Sequence, residues 1–178
     1  MTSMTRRDLG TLFASAAISS ADGATTALAQ GAGLSTNVRI FNVIIDRGFN
    51  QGDLSVADEV CAVKLSEHEY LAKTDVPGPE ILKDQIQTAR SNTKGFILTV
   101  EDLVENGDQV WARSRCTGTD LRSGKPINIM VIDICRFENG KLVEHWGVPD
   151  RFARLHQTGV LSPPPKQQSC GAAENCRF

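Results

Sequence analysis

The sequence predicts one α+β domain in which helices come first and a four-strand antiparallel meander follows. Two observations support this fold class. Apolar residues recur at helical spacing before Gly95, and long strand-like runs separated by short turns occupy the chain after it. The 178 residues are 40% hydrophobic and 22% charged, which suits one globular domain with its own core.

Three helices are predicted before the meander. The first covers residues 36–51, where apolar side chains from Phe41 onward recur at helical spacing. A glycine ends it, and a shorter helix follows over residues 54–62. Proline suits the first turn of a helix, so Pro79 indicates a third helix that runs to about Arg90.

Five strands are predicted beside these helices. A weakly alternating strand over residues 64–70 precedes the third helix, and there His68 and Tyr70 would share one face. The strands of the meander are predicted over residues 96–105, 109–119, 126–137 and 141–148. A short helix or a turn over residues 150–158 closes the domain. Strands of this length twist and curl, so we expect a cone-shaped sheet that encloses a pocket with the three helices.

The third strand of the meander is apolar on both faces. The residues of its two faces are Ile129, Val131 and Cys135 on one and Met130, Ile132 and Ile134 on the other. A sheet with two apolar faces needs cover on both, and the helices cover one. We therefore expect a second copy of the chain on the other face, which predicts a homodimer.

The first 29 residues have the layout of an export signal. Arg6 and Arg7 precede a weakly apolar Ala/Ser-rich stretch, and Ala27 and Ala29 fit the small-residue cleavage pattern. This layout resembles a twin-arginine signal and predicts a periplasmic or secreted protein. The alternative is an N-terminal extension of a cytoplasmic protein.

The last residues, 162–178, are predicted to form a disordered tail, because proline, glycine and polar residues dominate them. Cys170 and Cys176 lie in this tail. They could form a disulfide in an oxidising compartment or remain free thiols. The other three cysteines fall in apolar runs and are expected in the core.

Several function classes lack support in the sequence. A formal net charge of −2 gives no electrostatic basis for nucleic-acid binding, and no apolar run reaches the length of a membrane span. The chain has no nucleophile elbow, phosphate-binding loop or dinucleotide fingerprint, and its His and Cys residues are not at metal-ligand spacing. General acid/base catalysis in a dry pocket, or simple ligand binding, remains.

Asp133 is the most informative polar residue, because it lies inside the apolar run of residues 129–137. Burying a carboxylate is unfavourable unless it is paired. Carboxyl groups in apolar surroundings are therefore candidates for general acid or base catalysis. If the Ser123-Gly124 turn sets the register, Ser114 lies opposite Asp133. Asp133 is then either a base that lines the pocket or a structural residue that bonds to a Ser or Arg across the sheet.

His68 and His145 are candidate hydrogen-bond partners for an acid in the pocket, although a single strand His is more often a surface or rim residue. Trp146 could line the pocket or anchor an interface. The register at the Asn139-Gly140 turn decides which side chain enters the pocket. A one-residue slip would turn Trp146 inward in place of His145.

Two stretches resemble the SnoaL-like polyketide cyclases: VENGDQVWARSRCTGT over residues 104–119 and VIDICRFENGKLVEHWGVPDRFARLHQTGVL over residues 131–161. These cyclases belong to the nuclear-transport-factor-2-like superfamily of cone-shaped α+β folds. The order of elements extends the resemblance over residues 36–161. The resemblance implies a pocket for a small hydrophobic ligand that bears a carbonyl group, a homodimer, and no metal or organic cofactor.

The cyclases of this family close a ring by an intramolecular aldol reaction, in which an acidic side chain moves the proton. That acid stands two residues after the last-strand His, and here the position holds Gly147, in His145-Trp146-Gly147. The resemblance also matches Asp133 to a second pocket position and Asp150 to the Asp that closes the motif. It therefore leaves Asp133 to carry the chemistry.

Three hypotheses follow. The first is an exported protein that performs cofactor-free aldol cyclisation, isomerisation or hydration, with Asp133 as the base and His145 or His68 as its partner. The second is a dimeric, non-catalytic module that binds a small molecule. The third is an interaction module whose pocket is filled by side chains. The residues predicted to line the pocket are Tyr70, Ser114, Val131, Trp146 and Asp150.

Overall fold

The computed structural model describes residues 33–70 and 72–162 of the chain. The predicted export signal over residues 1–29 lies outside the described residues, as does the predicted tail from residue 163 onward, with Cys170 and Cys176. Within the described part of the chain, no helix is long and apolar enough to cross a membrane.

Four α-helices and one π-helical segment form the helical part of the domain. Their bounds are α1 Thr36–Val43, the π-helical segment Ile44–Gln51, α2 Ser55–Val60, α3 Gly78–Ser91 and α4 Arg151–Thr158. Ser35 caps α1 by accepting a hydrogen bond from the backbone N–H of Val38. The single helix predicted over residues 36–51 is therefore continuous, but its second half is wound as a π-helix.

Five strands form one sheet, with bounds β1 Cys61–Glu67, β2 Thr93–Asn106, β3 Gln109–Asp120, β4 Pro126–Glu138 and β5 Lys141–Pro149. The spatial order is β1-β5-β4-β3-β2, and β2 to β5 form the predicted antiparallel meander. The α+β fold class is thus confirmed. In addition, β1 pairs with β5 in parallel, which brings a segment from the helical half of the chain beside the last strand.

The first strand begins and ends earlier than predicted. It covers Cys61–Glu67 instead of residues 64–70, because α2 already ends at Val60. The expectation that His68 and Tyr70 share a strand face is therefore wrong, since both residues lie in the turn that follows β1. The inward position near the end of this strand belongs to Glu67, whose side chain is buried.

The core lies between the helices and the inner face of the sheet. Apolar side chains of α1, α2 and α3 pack there against alternate residues of β3 and β4. The largest fully buried apolar side chains are Phe41, Val56, Ile81, Ile86 and Val110. Helix α4 packs along β4, where the backbone N–H of Asp150 donates to the carbonyl of Met130.

The register between β3 and β4 differs from the prediction by two residues. Ala112 lies opposite Asp133, and Ser114 lies opposite Val131. The cause is the position of the connection between the strands, which is centred between Arg122 and Ser123 instead of between Ser123 and Gly124. The carboxylate of Asp120 organises it by accepting hydrogen bonds from the backbone N–H and hydroxyl of Ser123.

A β-bulge in β5 determines which side chains of this strand face inward. Next to the Asn139-Gly140 turn, Phe137 pairs with Leu142, whereas Cys135 pairs with His145 further along. One extra residue, Val143, is therefore accommodated in β5. Beyond the bulge, His145 lies on the same face as Asp133, and Trp146 lies on the opposite face.

Candidate functional site

A cavity of about 600 Å³ lies between the helices and the inner face of the sheet. Most of its wall is apolar, with residues from α1, the π-helical segment, α3, α4 and the four strands β2 to β5. Representative lining residues are Phe41, Ile45, Phe49, Leu82, Phe96 and Ile129. Its size suits a small organic ligand. Glu69, Asp133 and His145 are among the titratable side chains that line this space, as is Arg151, the partner of Glu69.

His145 lies between two buried carboxylates. Its Nδ1 atom is 2.9 Å from Oε2 of Glu67, and its Nε2 atom is 3.3 Å from Oδ1 of Asp133. These three residues come from β1, β5 and β4, which are adjacent in the sheet. The Glu67 side chain is fully buried, so it orients the imidazole from behind, whereas His145 and Asp133 both line the cavity.

The charges of His145 and the two carboxylates stabilise each other. Burial disfavours the charged imidazolium, but the hydrogen bonds to Asp133 and Glu67 outweigh it and raise the pKa of His145 to about 10. Burial likewise acts to raise the pKa of Glu67, yet the hydrogen bond and the charge of His145 bring it below its usual value. At neutral pH His145 is therefore an imidazolium that neutralises part of the negative charge beside the cavity.

Two buried oxygen atoms near this site have unused hydrogen-bonding capacity. Oδ2 of Asp133 and Oγ of Ser114 are shielded from solvent and have no hydrogen-bond partner among the residues that the structure describes. Buried polar atoms normally have a partner, so such exceptions often mark functional positions. Oδ2 of Asp133 is the more informative, because Asp133 also lines the cavity.

Glu69 adds a second acidic group at the same end of the cavity. Its carboxylate forms an ion pair with Arg151 of α4, and Gln85 of α3 donates to Oε2 over 3.3 Å. Burial, the largest influence, raises the pKa of Glu69, and the nearby positive charges of Arg151 and His145 only partly offset it.

Gly147 lies directly beside this carboxylate. A Cβ atom built on Gly147 would be 3.0 Å from Oε2 of Glu69 and 2.9 Å from Cε1 of His145. Glycine is the residue that lets both side chains occupy this space without displacement.

The family model for SnoaL-like polyketide cyclases matches residues 41–158. This chain belongs to the SnoaL-like polyketide cyclase family. The match includes every strand and the residues of the Glu67, His145 and Asp133 arrangement. The predicted family membership is therefore confirmed, and no curated protein sequence matches the chain.

Solved structures of similar proteins agree on the fold of this SnoaL-like protein. TsrD from Streptomyces laurentii is 23% identical, with 71% of this chain and 96% of that chain covered and a TM-score of 0.64. A Bacillus cereus protein provisionally assigned as a polyketide cyclase is 27% identical, with coverages of 71% and 83% and a TM-score of 0.63. A protein with a ketosteroid isomerase-like fold from Catenulispora acidiphila, in complex with trimethylamine, is 12% identical, with coverages of 67% and 92% and a TM-score of 0.58.

The predicted site residues of this SnoaL-like protein are only partly brought together. Asp133, His145, Val131 and Tyr70 line the cavity, although Tyr70 is 77% exposed at its edge. Ser114 is buried on the same sheet face but is not among the lining residues.

Three other predicted site residues lie away from the cavity. The imidazole of His68 stacks on the indole of Trp146, with 4.7 Å between ring centroids, and its Nε2 atom is 3.0 Å from Glu144. Asp150 caps α4 by accepting a hydrogen bond from the backbone N–H of Ala153 over 2.8 Å. Of the two proposed histidine partners for Asp133, only His145 therefore contacts it.

Sequence reasoning missed the two glutamates, Glu67 and Glu69. Both occur in Ser66-Glu67-His68-Glu69-Tyr70, a segment in which the predicted site residues are His68 and Tyr70. The signal that could have identified Glu67 is its position two residues after Leu65, on the inward parity of β1. Glu69 follows the end of the strand, so strand parity could not have located it.

No group of three or more His, Cys, Asp or Glu side chains within residues 33–70 and 72–162 has an arrangement that could hold a metal ion. Both ring nitrogens of His145 already face carboxylates. What the described site offers is a charged, buried acid/base pair beside an apolar cavity.

Proposed function

We propose that this SnoaL-like protein performs cofactor-free acid/base chemistry on a small hydrophobic ligand that bears a carbonyl group. The reaction is an aldol cyclisation, an isomerisation or a hydration. The observation that carries this proposal is the Glu67, His145 and Asp133 arrangement at the end of an apolar cavity. A cavity that only bound an apolar ligand would not require three buried ionisable side chains in contact.

Asp133 is the base in this proposal. The N–H of His145 holds its Oδ1 atom, which leaves Oδ2 as an acceptor without a protein partner among the described residues. A proton on a carbon next to a ligand carbonyl would pass to this carboxylate. The electron pair of the C–H bond would enter the enolate, and the apolar wall would exclude water from it.

Deuterium exchange tests the proposed base. The probe is 2,6-heptanedione, a small diketone whose α-protons exchange with D₂O and whose ring closure gives a cyclic hydroxyketone. We expect the wild type to catalyse the exchange and Asp133→Asn to lose about 10²- to 10⁴-fold of the rate. Asp108→Asn is the control, because this turn carboxylate is exposed and distant in the fold. Equal exchange rates in wild type and Asp133→Asn would exclude Asp133 as the base.

The second candidate function is non-catalytic binding of a small molecule by the same cavity. Gly147 favours it, because the resemblance to the cyclases places their acid at this position. Native mass spectrometry of the purified protein, followed by identification of any bound molecule, separates the candidates. A ligand that binds and is recovered chemically unchanged, without exchange of its α-protons, would favour binding. The open cavity disfavours the third hypothesis of a filled pocket.

We also propose a homodimer formed through the outer face of the sheet. Apolar side chains of three neighbouring strands lie together on this face, and Trp111, Met130 and Val148 are 47%, 39% and 64% exposed. Exposed apolar side chains on neighbouring strands are typical of an interface. Met130→Lys should convert the dimer to a monomer in light scattering, whereas Val160→Lys, away from the sheet, should not.

Export is the remaining part of the proposal. It is supported by the Arg6-Arg7 pair and the Ala27 and Ala29 cleavage pattern. Mass spectrometry of protein recovered from the host's periplasm or medium should show an N-terminus near Gln30. A protein that keeps Met1 and remains in the cytoplasm would contradict export.

A further inference from the structure

We propose that Glu69 is the second acid/base residue of this site and replaces, from the turn after β1, the acid that the cyclases carry on their last strand. The inference deepens the proposed function and rests on it for the reaction. It rests on geometry alone for the claim that Glu69 contacts the ligand.

The Glu69 carboxylate lies beside the backbone of Gly147. A Cβ atom at position 147 would meet Oε2 of Glu69 at 3.0 Å. The Glu69 carboxylate therefore lies directly against the space in which an acidic side chain on residue 147 would begin. A carboxyl group is retained at this point of the cavity wall, although it arrives from a different segment of the chain.

The turn after β1 fixes Glu69 relative to the rest of the site. The backbone N–H of Glu69 donates to Oε1 of Glu67 over 2.7 Å, so the carboxylate that orients His145 also anchors the backbone of Glu69. Arg151 binds Oε1 of Glu69 from α4, and Gln85 donates to Oε2 from α3. These contacts come from separate elements, and they hold a carboxyl group whose side chain is only 20% exposed.

Burial, more than the charges around it, favours the protonated form of Glu69. Arg151 and His145 face it with positive charge, and Glu67 and Asp133 face it with negative charge. Burial is the largest influence and keeps the pKa of Glu69 above its ordinary value. His145, with its raised pKa, stays charged. Glu69 is therefore placed to give a proton to a ligand oxygen at this end of the cavity.

The aldol step then uses two carboxyl groups in turn. The Asp133 carboxylate takes a proton from the carbon next to one carbonyl, and the C–H electron pair forms the enolate. The enolate carbon attacks the second carbonyl carbon, a C–C bond forms, and the C=O electron pair moves to oxygen. The Glu69 carboxyl gives its proton to that oxygen. Water returns one proton from Asp133 to Glu69, so the product is an isomer of the substrate.

The first test separates the two proton transfers with 2,6-heptanedione in D₂O. Glu69→Gln keeps the shape of the side chain, and we expect ring closure to slow by about 10²- to 10⁴-fold while α-proton exchange stays within about threefold of wild type. Glu80→Gln is the matched control, because Glu80 is also ion-paired, to Lys83, but lies outside the cavity lining. Unchanged ring closure in Glu69→Gln, or an equal loss of both rates, would overturn the proposal.

The second test needs no turnover, so it distinguishes failure of this inference from failure of the proposed function. The probe is 4-nitrophenol, a planar enolate mimic whose absorbance reports its protonation. We expect Glu69→Ala to weaken its binding at least about tenfold, the size of one lost hydrogen bond.

The outcomes are decisive in each case. If wild type neither exchanges protons nor closes the ring, the proposed function fails, and 4-nitrophenol binding alone decides whether Glu69 contacts the ligand. Binding that is equal in wild type and Glu69→Ala would overturn the inference. Near-ultraviolet circular dichroism checks that each variant is folded. If Glu69→Ala is not folded, binding of 4-nitrophenol by Glu69→Gln provides the same test.

Discussion

Nδ1 of His145 lies 2.9 Å from Oε2 of Glu67, although 78 residues separate the two in the chain. The contact exists because β1 pairs in parallel with β5, so that Glu67 is in register with His145. The first strand therefore contributes more than an edge to the sheet. It supplies the buried carboxylate that fixes which nitrogen of His145 points toward Asp133 and the cavity.

Removing the Glu67 carboxylate should affect both stability and the charge of His145. Glu67→Gln leaves a buried imidazolium with one carboxylate instead of two, and breaking a buried ion pair costs about 3–5 kcal/mol. We expect a loss of this order in the free energy of unfolding, measured with urea, and a lower pKa of His145 by NMR. Glu59→Gln, which removes an exposed partner of Arg47, should change stability by less than about 1 kcal/mol.

The raised pKa of His145 predicts how stability depends on pH. Its folded value of about 10 lies above the ordinary value of 6.5, so its contribution is complete below about pH 6.5 and disappears as the pH rises through 10. Urea unfolding at pH 6.5 and pH 10 should show a loss of a few kcal/mol over this range. His145→Gln should flatten the profile. An equally steep profile in that variant would assign the dependence to other groups.

The lowered pKa of Glu67 predicts that stability also falls at acid pH. Its folded pKa is below its ordinary value of 4.5, so its contribution is present above pH 4.5 and disappears as the pH falls through the folded value. The two residues together predict a plateau of maximum stability between about pH 5 and pH 6.5. Urea titrations from pH 3 to pH 6 should show the acid limb in wild type and a weaker one in Glu67→Gln.

Most of the fold could be predicted from the sequence, because its determinants are local. The apolar spacing from Phe41 onward and the glycine turns of the meander each mark an element without reference to the rest of the chain. The parallel pairing of β1 with β5 is different, since no local pattern near Cys61 specifies a partner about 80 residues away. The contact between Glu67 and His145 depends on that pairing and could not be predicted.

Strand register accounts for two site residues. The predicted position of Ser114 opposite Asp133 is wrong, and the orientation of His145 was left open. The connection after Asp120 is centred one position earlier than the predicted turn, which shifts β3 against β4 by two residues and puts Ala112 instead of Ser114 opposite Asp133. The bulge at Val143 turns His145 inward. Both features become apparent only when two strands pair. Asp133 was identified correctly as a buried carboxylate because an apolar run on both of its sides is a local signal.

Gly147 is expected to tolerate no side chain. In Gly147→Ala the new Cβ would lie 2.9 Å from His145 Cε1 and 3.0 Å from Glu69 Oε2, so both groups must move. Overpacking of this kind costs about 1–3 kcal/mol, and we expect such a loss in thermal or urea unfolding. Gly33→Ala is the control, because no atom of the described residues lies within 4 Å of the added Cβ. A stable Gly147→Ala variant would mean that the Glu69 carboxylate is not held in this space.

Cys61, Cys116 and Cys135 provide a chemical test of the core. All three are buried free thiols, and burial raises the pKa of each, to about 12 for Cys61. Because the thiolate is the reactive form, iodoacetamide at pH 8 should modify these cysteines only slowly in the folded protein and rapidly in urea. Peptide mass spectrometry reports each cysteine separately, so Cys170 and Cys176 do not obscure the result.

Cys116 and Cys135 also line the cavity, and 4-nitrophenol should slow their modification further while leaving the modification of Cys61 unchanged. Equal protection of all three thiols by the probe would place its binding site outside the cavity.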